Sequence, residues 1–288
     1  PTSADSFSTA APAFVIGNGT YDATSDAFKV MFNGDAYVSN SLYLGGTEIT
    51  ATAAEINLLS GVTSIGTGVL SPVTEGGNTG VRLSTVDPEN YGDIGQNAVD
   101  LSNSSSESTV YGATGDWSSA IGYSTTAIGD YSTAMGGYTT ASGPVSTAMG
   151  DGTTASGIAS TAMGHGTTAS GDYSTAIGEN TTASGETSTA MGYQSTASGI
   201  ASTAMGKSTA SGTYSTAMGY DTVASGIGST AMGRSIASDF ASTVIGQYNS
   251  SGSSPTSADS FSTAAPAFVI GNGTATDATS DAFKVMFN

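Results

Sequence analysis

STAMG at residues 146–150 and TTASG at residues 153–157 are the two phrases that decide the fold of this chain. The first phrase, with Met or Ile before its glycine, recurs nine times up to Ile245, and the second usually stands between its occurrences. Successive copies are 13 or 14 residues apart. A short, fixed period of this kind is typical of a solenoid, in which each repeat contacts mainly its neighbours.

The composition favours a thin β structure over a conventional globular core. Of 288 residues only 38% are hydrophobic, and 40 are glycine. The net charge of −18 predicts repulsion of polyanions, so we expect no nucleic-acid partner. The chain has no cysteine, which excludes disulfides and cysteine-bound zinc, and no apolar run of about 18 residues that would span a membrane.

Strand alternation assigns the side chains of one coil to two sides. Ser146 and Ala148 point the same way in the first phrase, as Thr153 and Ala155 do in the second. We expect this small set to fill the inside of a flattened roll. Glycine is expected at the strand ends because the chain reversal needs a positive φ, and the 13-residue spacings are expected to come from turns that lost one residue, before Ser208 and Ser235.

The opposite set predicts an apolar ladder on an outer face. Burying one methionine contributes about 1.5–3 kcal/mol, so this ladder is interpreted as a subunit interface, joined by Ile56 and Leu59 of a short helical segment. The alternative is that methionine fills the interior and alanine lies outside. The predicted rungs are Met135, Met149, Met163, Ile177, Met191, Met205, Met218, Met232 and Ile245.

The repeated phrase resembles the YadA-like head repeat of trimeric autotransporter adhesins, and related repeats occur in bacteriophage tail fibres. The resemblance covers about residues 108–246. It implies an all-β fold, a left-handed parallel β-roll, and a homo-oligomer of three rolls with the larger aliphatic side chains facing the axis; a larger bundle is the alternative. The TAAEINLLSGV stretch at 52–62 resembles segments of phage fibre shafts.

Five regions are predicted along the chain. A capping-box spacing from Thr52 to Glu55 predicts a short helix at 51–61. Asn33-Gly34 predicts a two-residue hairpin turn within residues 1–50. The regions are a β-hairpin connector at 1–50, a short helical neck at 51–61, an irregular β linker at 62–107, the β-roll at 108–250, and a second connector at 251–288.

The two connectors predict a tandem array. Residues 255–274 are identical to residues 1–20, and DATSDAFKVMFN occurs at both 22–33 and 277–288. We therefore expect further copies of the unit in series. The AFVIG stretch at 13–17 ends like a coil, so we expect the connector to continue a roll and to close its open edge.

No residue pattern predicts catalysis, a cofactor or a metal site. The single histidine, His165, occupies a position that accepts every class of side chain in other coils, which predicts an exposed loop. Calcium held between chains is the alternative for Asp116, Asp130, Asp151 and Asp172, but their spacing matches no known calcium loop. Trp117 is expected to pack at the start of the roll.

These patterns predict a non-enzymatic structural unit of an extracellular adhesive fibre. The roll would supply length, and its variable turns would touch a surface ligand. A phage tail fibre that binds a host receptor is the alternative. Ice binding is a minor alternative, based on the outer Thr-x-Ser ladder that begins at Thr154 and that Val223 and Ile236 interrupt.

Overall fold

The computed structural model describes residues 70–288 continuously and, N-terminal to them, five short strands. The chain divides into two compact units, Pro1–Gly66 and Thr67–Asn288. In the described residues all regular structure is β-strand except one 3-10 turn at Pro88–Asn90, which confirms the all-β class. The predicted helical neck at 51–61, with Ile56 and Leu59, lies outside the described residues.

The described part of the N-terminal unit contains a three-stranded antiparallel sheet and a two-stranded one. Strand β2 pairs with β3 with Lys29 opposite Tyr37 and Val30 opposite Ala36. Asn33-Gly34, where a two-residue turn is predicted, lies outside the described residues. The strands of this unit are β1 Pro12–Gly17, β2 Asp26–Met31, β3 Ala36–Val38, β4 Tyr43–Leu44 and β5 Thr47–Glu48.

The C-terminal unit opens with a hairpin that leads into a parallel ladder. Its first two strands, β6 and β7, pair antiparallel. Strand β7 also pairs parallel with β8, with Val81 opposite Val99. The parallel ladder therefore extends N-terminal to residue 108, while the predicted region boundaries stay predictions. These strands are β6 Leu70–Glu75, β7 Asn78–Leu83, β8 Val99–Asn103 and β9 Gly112–Ala113.

A buried ion pair stands where the ladder begins. Asp100 lies in register with Ala120 of the next coil and is fully buried. The Arg82 guanidinium donates to Asp100 at 3.1 Å, to Glu75 at 2.9 Å and to the Gly92 carbonyl oxygen at 2.8 Å. A buried carboxylate is tolerated only when it is paired and hydrogen-bonded, so Arg82 is what allows an aspartate to stand in a column of alanines.

The repeats form a parallel β-solenoid, as predicted from the period. Each coil has one longer and one shorter strand, and each pairs in register with its equivalent in the next coil, as Thr147–Asp151 does with Thr161–His165. The longer strands are β10 Ser119–Tyr123, β12 Thr133–Gly137, β14 Thr147–Asp151, β16 Thr161–His165, β18 Thr175–Glu179, β20 Thr189–Tyr193, β22 Thr203–Ala210, β23 Thr216–Ala224, β24 Thr230–Arg234 and β26 Thr243–Gln247.

The shorter strands carry the second phrase of each coil. They hold only two residues because a glycine and a turn follow at once. They are β11 Thr126–Ala127, β13 Thr140–Ala141, β15 Thr154–Ala155, β17 Thr168–Ala169, β19 Thr182–Ala183, β21 Thr196–Ala197 and β25 Ile236–Ala237. In two coils β22 and β23 run through both phrases without a break.

Alanine, serine and threonine fill the interior, which confirms the predicted inward set. Ser146, Ala148, Thr153 and Ala155 all have no exposed surface, and the equivalent alanines of the other coils are equally buried. Met149 on the same strand is only partly buried. The alternative with methionine inside and alanine outside is therefore wrong.

Both glycines of a coil lie close to the backbone of the next coil, and the first also has the predicted positive φ. Gly150 has a φ of 124°, in the region that L-residues avoid. Gly157 has no such φ; a Cβ there would collide with the carbonyl oxygen of Gly171 in the next coil. Close approach of successive coils, rather than a positive φ, explains the glycine of the second phrase.

The shortened coils lose one turn residue and keep their strand phase, as predicted. Asp221 has no counterpart in the preceding coil, because Lys207 pairs with Tyr220 and Ser208 with Thr222. Ala204 and Ala210, before and after the deletion, are both fully buried.

The second connector adds a last coil and then closes it. Strand β27, Pro266–Asn272, pairs parallel with β26, with Ile245 opposite Ile270, and β28, Asp281–Met286, returns antiparallel. The second connector thus continues the roll, as predicted for this sequence, while its closing of a preceding unit stays a prediction. Next to it, the Asn249 side-chain amide accepts from the Ile236 N–H and donates to the Ile236 carbonyl oxygen, both at 2.8 Å, so it replaces the strand that would follow β25.

We predict that Gly157→Ala destabilises the solenoid while Gly137→Ala does not. The added methyl group at position 157 meets the backbone of the next coil, whereas at position 137 it would meet only the end of the Asp151 side chain. Overpacking of this kind costs about 1–3 kcal/mol. Thermal unfolding of the two variants measures the difference, and equal midpoints would show that the coils are not in close contact at Gly157.

Candidate functional site: surfaces of the solenoid

The predicted methionine and isoleucine residues form one continuous outer column, here called the methionine ladder. Met135 lies opposite Met149, Met149 opposite Met163, and the in-register pairing continues coil by coil to Ile245. Neighbouring rungs are about 4.8 Å apart, one strand spacing. The nine residues named from the sequence are thus brought together on a single face.

The ladder is longer than the sequence predicted. Ile121 and Leu101 continue it at the N-terminal end, and Ile270 continues it at the C-terminal end. The phrase SSAIG at 118–122 was a signal for Ile121. Leu101 carries no such signal, because 20 residues instead of 14 separate it from its neighbour in the ladder.

Stacking within the chain already covers most of each rung. Met163 is the most exposed at 38%, and the other rungs are partly buried. Full burial of a methionine contributes about 1.5–3 kcal/mol, so covering the exposed remainder contributes at most about 0.5–1 kcal/mol per rung. The sum over a ladder of this length is still several kcal/mol.

The opposite face carries hydroxyl groups. Thr154 is partly buried and Ser156 is exposed, and equivalent threonines and serines follow in the next coils. Val223 and Ile236 occupy the threonine column in two successive coils. The hydroxyl column therefore ends near the second connector.

The corners of the coil expose the largest aromatic side chains. Trp117, with a φ of 57°, is 57% exposed, and Tyr131 and Tyr214 occupy the equivalent corner of other coils with similar exposure. The prediction that Trp117 packs at the start of the roll is wrong. A residue with left-handed backbone at this corner directs its side chain away from the interior, which leaves room for an indole ring.

A charged cluster lies on the two shortened coils. The Asp221 carboxylate forms ion pairs with the Lys207 ammonium at 3.0 Å and with the Arg234 guanidinium at 3.2 Å. Lys207 and Arg234 stand 4.8 Å and 5.2 Å from the ring centroid of Tyr220, and Arg234 is 4.9 Å from that of Tyr248. The hydrogen bond to Asp221 raises the pKa of Lys207 above its ordinary value, so the ammonium stays charged. Sequence reasoning missed this cluster.

The carboxylates of three acidic corner residues accept hydrogen bonds from backbone N–H groups. Asp116 accepts from the Gln96 N–H at 2.9 Å, Asp130 from the Asp116 N–H at 3.1 Å, and Asp172 from the Ile158 N–H at 2.9 Å. Each carboxylate thus ties one coil to the preceding one. In residues 70–288 no group of three or more acidic or histidine side chains gathers as metal ligands would.

His165 is exposed, as predicted from its variable position. Its side chain is 64% exposed, and Nε2 lies 3.5 Å from an Asp151 carboxylate oxygen that is equally open to solvent. Across the described part of the chain, no helix has the length and apolar character needed to cross a bilayer.

Comparison with known proteins identifies the repeats. The family model for the YadA head domain repeat matches residues 113–139, 127–153, 141–164, 155–181, 183–209 and 210–235. A search of curated proteins finds no match to the chain. The family match covers the coils whose interior, glycines and methionine ladder are described above, and it confirms the resemblance inferred from the repeated phrase. The solenoid between residues 113 and 235 therefore matches the YadA head domain repeat.

Proposed function

We propose that this chain is a structural unit of a homo-oligomeric extracellular fibre that attaches a cell to a surface or to another cell. The observation that carries the proposal is the methionine ladder. It runs along the outside of a roll whose interior is already filled by alanine, serine and threonine. A continuous apolar column of this length is rarely left in water.

Three chains packed through their ladders explain this column best. Each rung keeps up to about a third of its surface free for a neighbouring chain. At about 0.5–1 kcal/mol per rung, the predicted nine rungs of each chain would stabilise the assembly by several kcal/mol. The number three rests on the family, and Ile56 and Leu59 are proposed to extend the same interface.

Tandem repetition of the unit would give the fibre its length. The hairpin β1–β2 has the same pairing as the β27–β28 cap, with Val15 opposite Lys29 and Val269 opposite Lys284. Ile16 is 50% exposed, whereas its equivalent, Ile270, is partly covered by its coil. This difference supports an arrangement in which β1 closes the last coil of a preceding unit.

We predict that Met163→Glu combined with Met191→Glu breaks the assembly into monomers. Two carboxylates in the interface would have to lose their hydration without a partner. The matched control is Ser156→Glu combined with Ser184→Glu, which adds the same charge to exposed positions of the opposite face. Native mass spectrometry and thermal unfolding measure the outcome.

The proposal expects three times the chain mass for the wild type and for the serine control, and a single chain with a lower unfolding temperature for the methionine variant. A wild type that is monomeric at micromolar concentration would overturn it. Equal dissociation of both variants would also count against the ladder as the interface.

A further inference from the structure

Two single-residue deletions leave two notches in one corner of the solenoid. Gln194 has no counterpart in the following coil, because Gly192 pairs with Gly206 and Thr196 with Thr209. Asp221 lacks a counterpart on both sides, since Gly219 pairs with Gly233 and Val223 with Ile236. Asp221 therefore protrudes from its corner, because the coils on both sides of it lack the equivalent residue.

Each notch is an open depression with one cation. The first notch has a volume of about 240 Å³ and is lined by Gln194, Lys207 and Asp221. The second has a volume of about 370 Å³ and is lined by Asp221, Arg234 and Tyr248. Thr209 and Val223 also line the first notch, and Ile236, Asn249 and Thr279 also line the second.

The cations are unusual for this chain. Of its five basic residues only Lys207 and Arg234 belong to the coils between Ser119 and Gln247, in a protein of net charge −18. Both bind the single carboxylate of Asp221. One negative charge shared by two positive charges leaves the cluster with a net charge of +1.

Aromatic rings alternate with these cations from coil to coil. The corner position that holds Lys207 and Arg234 holds Tyr193 in the coil before Lys207 and Tyr220 in the coil between them. Tyr193 is 49% exposed and Tyr220 is 55% exposed. We call Tyr193, Lys207, Tyr220 and Arg234 the alternating row.

We propose that the alternating row and its two notches bind a linear anionic glycan with a carboxylate on every second sugar. A pyranose ring is about as long as one strand spacing, about 5 Å, so successive sugars would meet successive coils. The acidic sugars would place their carboxylates at Lys207 and Arg234, whose backbones are about 10 Å apart over two coils and whose charged ends converge on Asp221. The neutral sugar before Lys207 would stack on Tyr193, because an aromatic ring is apolar on its faces. The neutral sugar between the two cations would meet the hydroxyl end of Tyr220, since Lys207 and Arg234 already lie over that ring.

This ligand class explains the parts of the site together. Guanidinium and ammonium groups select carboxylates, the wall hydroxyl groups suit sugar hydroxyls, and the alternation suits a two-sugar repeat. The inference rests on the proposed adhesive function for its biological use. The chemistry of binding is independent of it, because the notches are complete within one chain.

The test uses the full chain and a hyaluronan octasaccharide, in which glucuronic acid alternates with a neutral sugar. Isothermal titration at about 0.15 M salt, where the Debye length is about 8 Å, limits the influence of distant charges. The carboxyl-reduced octasaccharide and a glutamate octapeptide are the control ligands. We expect saturable binding of the octasaccharide and at least a tenfold weaker affinity for both controls.

Two kinds of variant locate the site. Lys207→Gln with Arg234→Gln removes the cations, and insertion of one glycine after Lys207 and after Arg234 fills the notches while it keeps the cations. We expect each to weaken binding at least tenfold. Lys284→Gln, at an exposed position outside the notches, is the control for charge and should bind like the wild type.

Several results would overturn the proposal. These are no binding by the wild type at millimolar octasaccharide, equal binding of the reduced form or of the peptide, or an equal loss with Lys284→Gln. If one variant fails to fold, as judged by circular dichroism, the other decides. A trimeric wild type that binds no glycan would reject this site and leave the fibre proposal intact. A monomeric wild type that binds the glycan would support this site and contradict the fibre proposal.

Discussion

The structure depends on how closely the two sheets of each coil approach. Between Ala120 and Ala237 the space is filled by alanine, serine and threonine, such as Ala148 and Thr153, and valine takes the alanine position only in the last two coils, at Val244 and Val269. A core of such small side chains buries little apolar surface, and fourteen of its serine and threonine hydroxyl groups, in residues 70–288, have no hydrogen-bond partner within the protein. A buried unsatisfied hydroxyl costs about 1–3 kcal/mol. The backbone ladders and the outer faces must therefore stabilise the roll.

This constraint separates the parts of the coil that must stay the same from those that can vary. In the coils between Ala120 and Ala237 the larger side chains are directed outward, so methionine forms a column on one face and hydroxyl groups form one on the other. The corners tolerate tryptophan, aspartate, histidine or a deletion, because the strand phase continues on either side. A rigid scaffold with variable corners is a common basis for binding surfaces. It explains how repeats with a uniform interior can carry a local cluster such as Lys207, Asp221 and Arg234.

Much of this could be predicted from the repeats, and the errors have physical reasons. Alternation within a strand identified the inward set and the methionine ladder. It could not show that Gly157 is required by the carbonyl oxygen of Gly171, because that contact crosses between coils. Trp117 was misjudged because a large apolar side chain was expected to be buried, whereas the left-handed corner leaves it exposed. The Lys207–Asp221–Arg234 cluster was missed because its members are 13 or 14 residues apart and meet only after two deletions shift their corners.

The most direct test of the narrow interior is the unfolding free energy of Ala176→Val. Ala176 has no exposed surface and lies between Ala162 and Ala190 of the adjacent coils. Two added methyl groups should destabilise the protein by about 1–3 kcal/mol, while the control Thr182→Ile, on the outer face where Ile236 already occurs, should change it by less than about 0.5 kcal/mol. An unchanged or increased stability of Ala176→Val would contradict the account.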